Sequence, residues 1–323
     1  MVEKKFSLDE AYQIAVDFHA KGNIKDAKNT YEKILEVKPD HFLSLGNLGI
    51  IFSQLGKFKE AIELFNKALK INPNYSEGHN NLGNVLFELS EFDKSLDCYN
   101  KAVLLNPNFS DAFNNLGNVY QKKENLNKAI ENYELAISTD SGLNKDKPYY
   151  NLGNIFRELG NIIKSIDFYK KAIDINPNSV DAYINLSISL NLNGNLKEAI
   201  NYCEKAIEKD PKNITAINNL GKYHQEIGNE DLSIVCYKKS RDLNPADLRS
   251  RWLLMNTFPI IYKNFDQINY FKKHFEKNLT EIEDLLSKNI NFEKEEILST
   301  LNSCTNFYLH YQGNDVTILQ KRY

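Results

Sequence analysis

Asparagine is the residue type in this sequence whose chemistry and spacing first suggest a binding site. It recurs at intervals of 34 residues, once of 36, at Asn47, Asn81, Asn115, Asn151, Asn185 and Asn219. Three members of this series are followed three residues later by Asn84, Asn118 and Asn154. A carboxamide offers both a hydrogen-bond donor and an acceptor, as each peptide unit does. A row of such amides would pair with the main chain of an extended peptide and ignore its side chains.

A second explanation is that the chain is rich in asparagine throughout, as in the segment NLNGN at residues 191–195. A composition bias accounts for an asparagine here and there. It accounts less well for six at one register while most other positions vary. Because asparagine is only a mediocre helix former, its recurrence favours a role in binding.

The elements that would position these amides are helical hairpins in a repeat of 34 residues. Positions 8 and 20 of each unit are small, position 24 is mostly aromatic, and position 32 is proline in six of seven units. Two apolar stripes at helical spacing flank position 15, which is glycine in five units. Stacking buries stripes that a lone hairpin would expose. The predicted units are residues 8–41, 42–75, 76–109, 110–143, 146–179, 180–213 and 214–247.

This pattern resembles the tetratricopeptide repeat, which shares the period and these small, aromatic and proline positions. The resemblance covers residues 8–247. It implies an all-α fold, a right-handed superhelix or α-solenoid of seven helix-turn-helix repeats. Positions 6 and 9 lie opposite the first apolar stripe, and in this family that side of the first helix faces a concave groove. The resemblance therefore implies that the nine asparagines line a peptide-binding groove.

Two regions depart from the period. In the fourth unit Ser141 replaces proline and two extra residues precede the fifth unit, which predicts either a tolerated surface insertion or a hinge. Residues 248–323 lose the register altogether. We expect one helix there from about residue 264 to 287 and another near residues 293–301. This region is either a helical cap on the last repeat or a linker to another domain.

The 248–323 region resembles the linker that precedes the catalytic domain in bacterial proteins similar to O-linked N-acetylglucosamine transferase and SPINDLY. The asparagine series likewise resembles the amide ladder in the repeat arm of that transferase, although Gln13 replaces asparagine in the first unit. The resemblance implies a module that presents protein substrates to a glycosyltransferase catalytic domain using a UDP-sugar. The alternative is a stand-alone scaffold unrelated to glycosylation.

Motifs for catalysis are missing from the sequence. It contains no Gly-rich nucleotide-binding fingerprint, P-loop, HExxH or GxSxG. An enzyme built on the 248–323 region, around His310, is a third and weaker hypothesis, because no partner acid is in view. We therefore predict no catalytic residue, no metal site and no cofactor in this chain.

Charge and hydropathy restrict the partners further. The net charge of −3 argues against general nucleic-acid binding, which needs a basic surface. No apolar run approaches the roughly 20 residues of a membrane span, and the first residues lack a signal-peptide core. The four cysteines form no CxxC pair. We therefore expect a cytoplasmic protein with reduced thiols that binds protein or peptide segments.

Overall fold

The computed structural model describes residues 7–139, 145–257 and 265–287, which form sixteen α-helices and no strand. The all-α, helix-turn-helix arrangement predicted from the sequence is confirmed. The helices are α1 (Leu8–Ala20), α2 (Ile24–Val37), α3 (Phe42–Gln54), α4 (Phe58–Ile71), α5 (Ser76–Glu88), α6 (Phe92–Leu105), α7 (Ser110–Lys122), α8 (Leu126–Thr139), α9 (Asp146–Glu158), α10 (Ile162–Ile175), α11 (Val180–Leu192), α12 (Leu196–Lys209), α13 (Ile214–Glu226), α14 (Glu230–Leu243), α15 (Leu248–Met255) and α16 (Phe265–Ser287).

The odd-numbered helices from α1 to α13 are the first helices of the hairpins, and each has 13 residues. Each begins at the residue where a 34-residue unit begins in the sequence. The turn that follows contains a residue of positive φ, which is glycine in five units, Ser90 in the third and Glu124 in the fourth. This left-handed residue ends the first helix and reverses the chain into the second.

The two helices of a hairpin approach closely where the small residue at position 8 meets the large one at position 24. A Cβ built on Gly117 would lie 2.5 Å from Cε1 of Tyr133, which is itself fully buried. Glycine is required at this position because the tyrosine ring occupies the space that a side chain would need. Buried aromatic and aliphatic residues of this kind form the core between the helices.

The chain divides into two compact units, residues 1–155 and 156–323. In the first unit, α3 contacts α5 and α5 contacts α7, so the first helices of successive hairpins lie side by side. The second unit repeats this arrangement with α11 and α13. Groups on neighbouring first helices are therefore close enough to interact.

The second unit ends in α15, which packs against α14, and α16, which packs against α15. The buried face of α16 contains Phe271, Phe275, Leu279 and Ile282, and it meets Trp252 and its neighbours on α15. These helices cover the apolar side of the last hairpin. Residues 140–144 of the longer loop predicted after Thr139, the second helix near 293–301 and His310 lie outside the described residues.

Within the ranges that the structure describes, no helix is long and apolar enough to cross a bilayer.

Candidate functional site

The nine predicted asparagines all lie in first helices. Asn84 is exposed and the other eight are partly buried. Those of the first unit lie on neighbouring helices α3, α5, α7 and α9, where the hairpins stack. Asn185 and Asn219 lie on α11 and α13 of the second unit.

Two asparagines at position 6 donate hydrogen bonds to asparagines of the hairpin before them. Nδ2 of Asn115 lies 3.0 Å from Oδ1 of Asn80 and 2.9 Å from Oδ1 of Asn84. One repeat later, Nδ2 of Asn151 lies 3.2 Å and 3.0 Å from the corresponding oxygens of Asn114 and Asn118. These amides therefore join successive hairpins, a role that the sequence interpretation did not include.

The aromatic residue at position 24 also takes part in this network. The hydroxyl of Tyr99 donates to Oδ1 of Asn84 at 2.8 Å, and the hydroxyl of Tyr133 donates to Oδ1 of Asn118 at 2.8 Å. Burial raises the pKa of both tyrosines well above the ordinary value. The hydroxyls consequently stay protonated and remain donors, which fixes the oxygens of the position-9 amides inward.

This network leaves a defined set of groups without a partner. The oxygens of Asn84 and Asn118 each accept two hydrogen bonds, so their Nδ2 groups are the donors that remain. Asn115 and Asn151 use Nδ2 inward, so their Oδ1 atoms are the acceptors that remain. Within residues 7–139 and 145–155, these remaining groups bond to no other protein atom. The first unit thus presents donors at position 9 and acceptors at position 6.

Asn81 differs because the preceding hairpin carries Gly46 and Ile50 at positions 5 and 9, and neither side chain can accept a hydrogen bond. Asn81 accordingly makes no hydrogen bond with any described residue, although it is only partly buried. Asn47 donates to the hydroxyl of Tyr12 at 2.9 Å. The preceding hairpin therefore decides whether a position-6 amide is engaged.

The same dependence holds in the second unit. Asn185 accepts a hydrogen bond from Arg157 at 3.1 Å. The hairpin before Asn219 places Ile184 and Ile188 at positions 5 and 9. Nδ2 of Asn219 is buried and has no hydrogen-bond partner among the described residues.

The sequence interpretation overlooked the asparagines at position 5 and the tyrosine hydroxyls. Asn80 and Asn114 are both buried and serve as acceptors for the next hairpin. A signal for them was present in the Asn-Asn pairs at residues 80–81 and 114–115. One residue of each pair accepts from the following hairpin, and the other is the position-6 asparagine.

Groups suited to catalysis or metal binding are scarce in the described part of the chain. There, no cluster of three or more histidine, cysteine, aspartate or glutamate side chains could hold a metal ion. Burial raises the pKa of the Cys98 and Cys236 thiols to about 11 and that of Cys203 to about 12. These thiols stay protonated at neutral pH, so they are poor nucleophiles.

Comparison with known protein families gives a consistent result. Sequence profiles described as "TPR repeat" match residues 49–90 and 83–124. Profiles described as "Tetratricopeptide repeat" match residues 12–41, 110–142, 147–179 and 168–201. Together these matches cover more than half of the chain. No curated protein matches the chain significantly.

Solved structures support the fold at low sequence identity. A chain of the APC/C hetero-tetramer Cut9–Hcn1 superposes with a TM-score of 0.64 and 14% identity over 78% of this chain and 50% of its own length. PilF of Pseudomonas aeruginosa superposes with a TM-score of 0.58 and 17% identity. The match covers 63% of this chain and 92% of PilF. A tetratricopeptide repeat protein from Parabacteroides merdae superposes with a TM-score of 0.54 and 18% identity. The match covers 84% of this chain and 98% of that protein.

Proposed function

Since this chain belongs to the tetratricopeptide repeat family, we propose that the first helices of residues 7–155 bind an extended polypeptide through its main chain. Tetratricopeptide repeats bind protein or peptide partners, so the chain is a protein-interaction module. The proposal adds the kind of segment that is bound and the groups that bind it.

The observation that carries the proposal is the fixed polarity of the amides. Asn84 and Asn118 keep an N–H group for a ligand, whereas Asn115 and Asn151 keep an oxygen. An extended backbone carries carbonyl oxygens and N–H groups in alternation. Its carbonyls would accept from Asn84 and Asn118, and its N–H groups would donate to Asn115 and Asn151.

Preorganisation supports binding of this kind. The tyrosine hydroxyls and the inter-hairpin bonds hold the amides in one orientation before a ligand arrives, so little side-chain entropy is lost on binding. Asn81 has no such partner and can turn either end of its amide toward a peptide. Recognition through the main chain would give little preference for the side chains of the bound segment.

An isosteric double substitution tests the proposal. Asn84→Asp with Asn118→Asp replaces each outward N–H group by an oxygen and keeps the oxygens that accept from Tyr99 and Tyr133. An array of short, uncharged, unstructured peptides first identifies ligands of the unsubstituted protein, and their affinities are then measured by fluorescence anisotropy. We expect the double substitution to weaken these affinities by roughly tenfold or more, since two hydrogen bonds of about 1 kcal/mol each are lost.

The matched control is Asn66→Asp with Asn100→Asp, which makes the same charge change at exposed positions of the second helices α4 and α6. It should leave peptide affinity unchanged. Peptides with N-methylated backbones should bind weakly to the unsubstituted protein, because they lack the N–H groups that Asn115 and Asn151 would accept. Equal losses in both double variants, or undiminished binding of N-methylated peptides, would exclude recognition of the main chain.

A narrower role is the presentation of protein substrates to a UDP-sugar-dependent glycosyltransferase. It is supported by the likeness of the position-6 asparagines to the ladder in O-linked N-acetylglucosamine transferase, and neither the sequence profiles nor the solved structures add to that support. Proteins captured by this chain from its own cell extract would then carry O-linked N-acetylglucosamine, and a glycosyltransferase would be captured with them. Capture of unglycosylated partners alone would favour the stand-alone scaffold.

A further inference from the structure

A second candidate site lies in the unit of residues 156–323, outside the asparagine network of residues 7–155 and different from it in chemistry. It is a pocket of about 290 Å³ between α14, α15 and α16. Lys238 and Arg241 of α14 line one side, and Lys273 and Lys277 of α16 line the other. Aspartate and glutamate are missing from its lining. Four cationic side chains thus converge on one pocket of a protein whose net charge is −3.

Three of these cations lack a counterion. Lys238, Lys273 and Lys277 form no ion pair or hydrogen bond with any residue that the structure describes. Arg241 differs, because it donates to Asp242 at 2.9 Å and lies 3.9 Å from Glu281. Glu281 is also engaged by Arg251 at 3.2 Å. Asp242 and Glu281 are therefore already paired with arginines, and neither carboxylate pairs with the lysines of the pocket.

The floor of the pocket is held in place by hydrogen bonds. Nε2 of His274 lies 2.7 Å from the carbonyl oxygen of Leu254, and Nδ2 of the buried Asn278 donates to the carbonyl oxygen of His274 at 2.7 Å. Burial is the main cause that lowers the pKa of His274, and Lys238 and Lys277 lower it further. The imidazole is consequently neutral at pH 7, and the positive charge of the pocket belongs to the lysines and Arg241.

We propose that this pocket binds an acidic segment of a protein partner, with separate carboxylates meeting Lys238, Lys273 and Lys277. Lysine ammonium groups are compact charges on flexible stems, so they suit carboxylates spaced along a chain. The planar guanidinium that would hold a phosphate in two-point contact belongs to Arg241, which Asp242 and Glu281 already engage. The exposed ring of Tyr270 supplies apolar surface for the stems of the acidic side chains.

The test measures binding of a fluorescein-labelled peptide of alternating glutamate and serine by anisotropy at low ionic strength. Combined Lys238→Gln, Lys273→Gln and Lys277→Gln substitutions should weaken binding by roughly tenfold or more, because three partly exposed charge pairs are lost. Added salt should weaken binding to the unsubstituted protein. A peptide of alternating glutamine and serine should not bind at this pocket.

The matched control replaces Lys67, Lys70 and Lys101 by glutamine. These lysines are exposed on α4 and α6 and lack ion-pair partners within the described ranges, so the net charge changes equally. The control should bind the acidic peptide as the unsubstituted protein does. An equal loss in both variants, or no loss in the pocket variant, would overturn the proposal. Circular dichroism establishes that both variants are folded.

His274 gives an independent readout. Carboxylates brought into the pocket stabilise the imidazolium form, so the acidic peptide should raise the pKa of His274. Nuclear magnetic resonance of the ring carbons measures this pKa. Inorganic phosphate serves as the competing ligand. If phosphate raises this pKa in a lysine-dependent manner and the acidic peptide does not, the pocket is a phosphate site and the proposed partner is wrong.

Discussion

An asparagine in this chain has a role that depends on the hairpin before it. Asn115 meets the oxygens of Asn80 and Asn84, whereas Asn81 meets Gly46 and Ile50 and finds no acceptor. The two residues occupy the same position of successive repeats. The first contributes to the stacking of hairpins and keeps only its oxygen for a ligand, and the second keeps its whole amide.

Substituting these two residues separates the two roles. Asn115→Ala should lower the free energy of unfolding by roughly 1–2 kcal/mol, because the oxygen of the buried Asn80 loses its donor. Asn81→Ala should leave stability unchanged or raise it slightly, since alanine is the better helix former. Urea denaturation followed by circular dichroism provides the comparison. Equal stability losses in both variants would contradict the division of roles.

The asparagine series itself could be read from the sequence, but the direction of its hydrogen bonds could not. Position 6 was recognisable from the 34-residue period. Whether Nδ2 of Asn115 turns toward Asn80 depends on how closely the first helices of successive hairpins stack, here α5 and α7. The sequence period of one helix does not predict how far that helix lies from its neighbour.

Among the elements, the turns between the two helices show where the repeat tolerates strain. The residue after position 14 has positive φ in the described turns, and it is glycine in five units. Ser90 and Glu124 adopt φ of 59° and 58° there. Left-handed backbone is unfavourable for residues with a Cβ atom. The turns of the third and fourth 34-residue repeats therefore form even though the backbone conformation of Ser90 and Glu124 is unfavourable.

Ser90→Gly should consequently stabilise the protein by roughly 0.5–1 kcal/mol, the relief of the left-handed strain being partly offset by the greater freedom of glycine in the unfolded chain. Gly56→Ser, at the same position of the second 34-residue repeat (residues 42–75), should destabilise the protein by a similar amount. Thermal unfolding of the two variants and the unsubstituted protein provides the measurement. A lower stability of Ser90→Gly would show that its side chain contributes more than the strain costs.

Across the whole molecule, the repeat is what made the fold predictable. Small, aromatic and proline positions recur with a fixed period, so the start of each first helix from α1 to α13 could be located in the sequence. The pocket beside α16 could not be located in this way. Its lysines come from α14 and α16, and it is the packing of Phe271 and Phe275 against Trp252 of α15 that places α16 there. The 34-residue period does not predict which residues are brought together by packing of this kind.

The stacked core also determines how the protein responds to alkali. Burial raises the pKa of Tyr99, Tyr133 and Tyr223 well above the ordinary value, and that of Tyr75 to about 12. In the unfolded chain these hydroxyls ionise near pH 10. Above that pH the unfolded state binds fewer protons than the folded state, so stability must fall as the pH rises. Below it, these tyrosines contribute no pH dependence.

We therefore expect the thermal unfolding temperature to be insensitive to these tyrosines up to about pH 10 and to fall steeply between about pH 10 and 12. Tyrosinate absorbance from the buried rings should appear together with the loss of helical circular dichroism. Tyr133→Phe should lower stability at neutral pH, because the bond to Asn118 is lost, and should make the alkaline decline shallower, because one linked proton is removed. A decline of unchanged steepness in Tyr133→Phe would mean that groups other than the stacked tyrosines control alkaline unfolding.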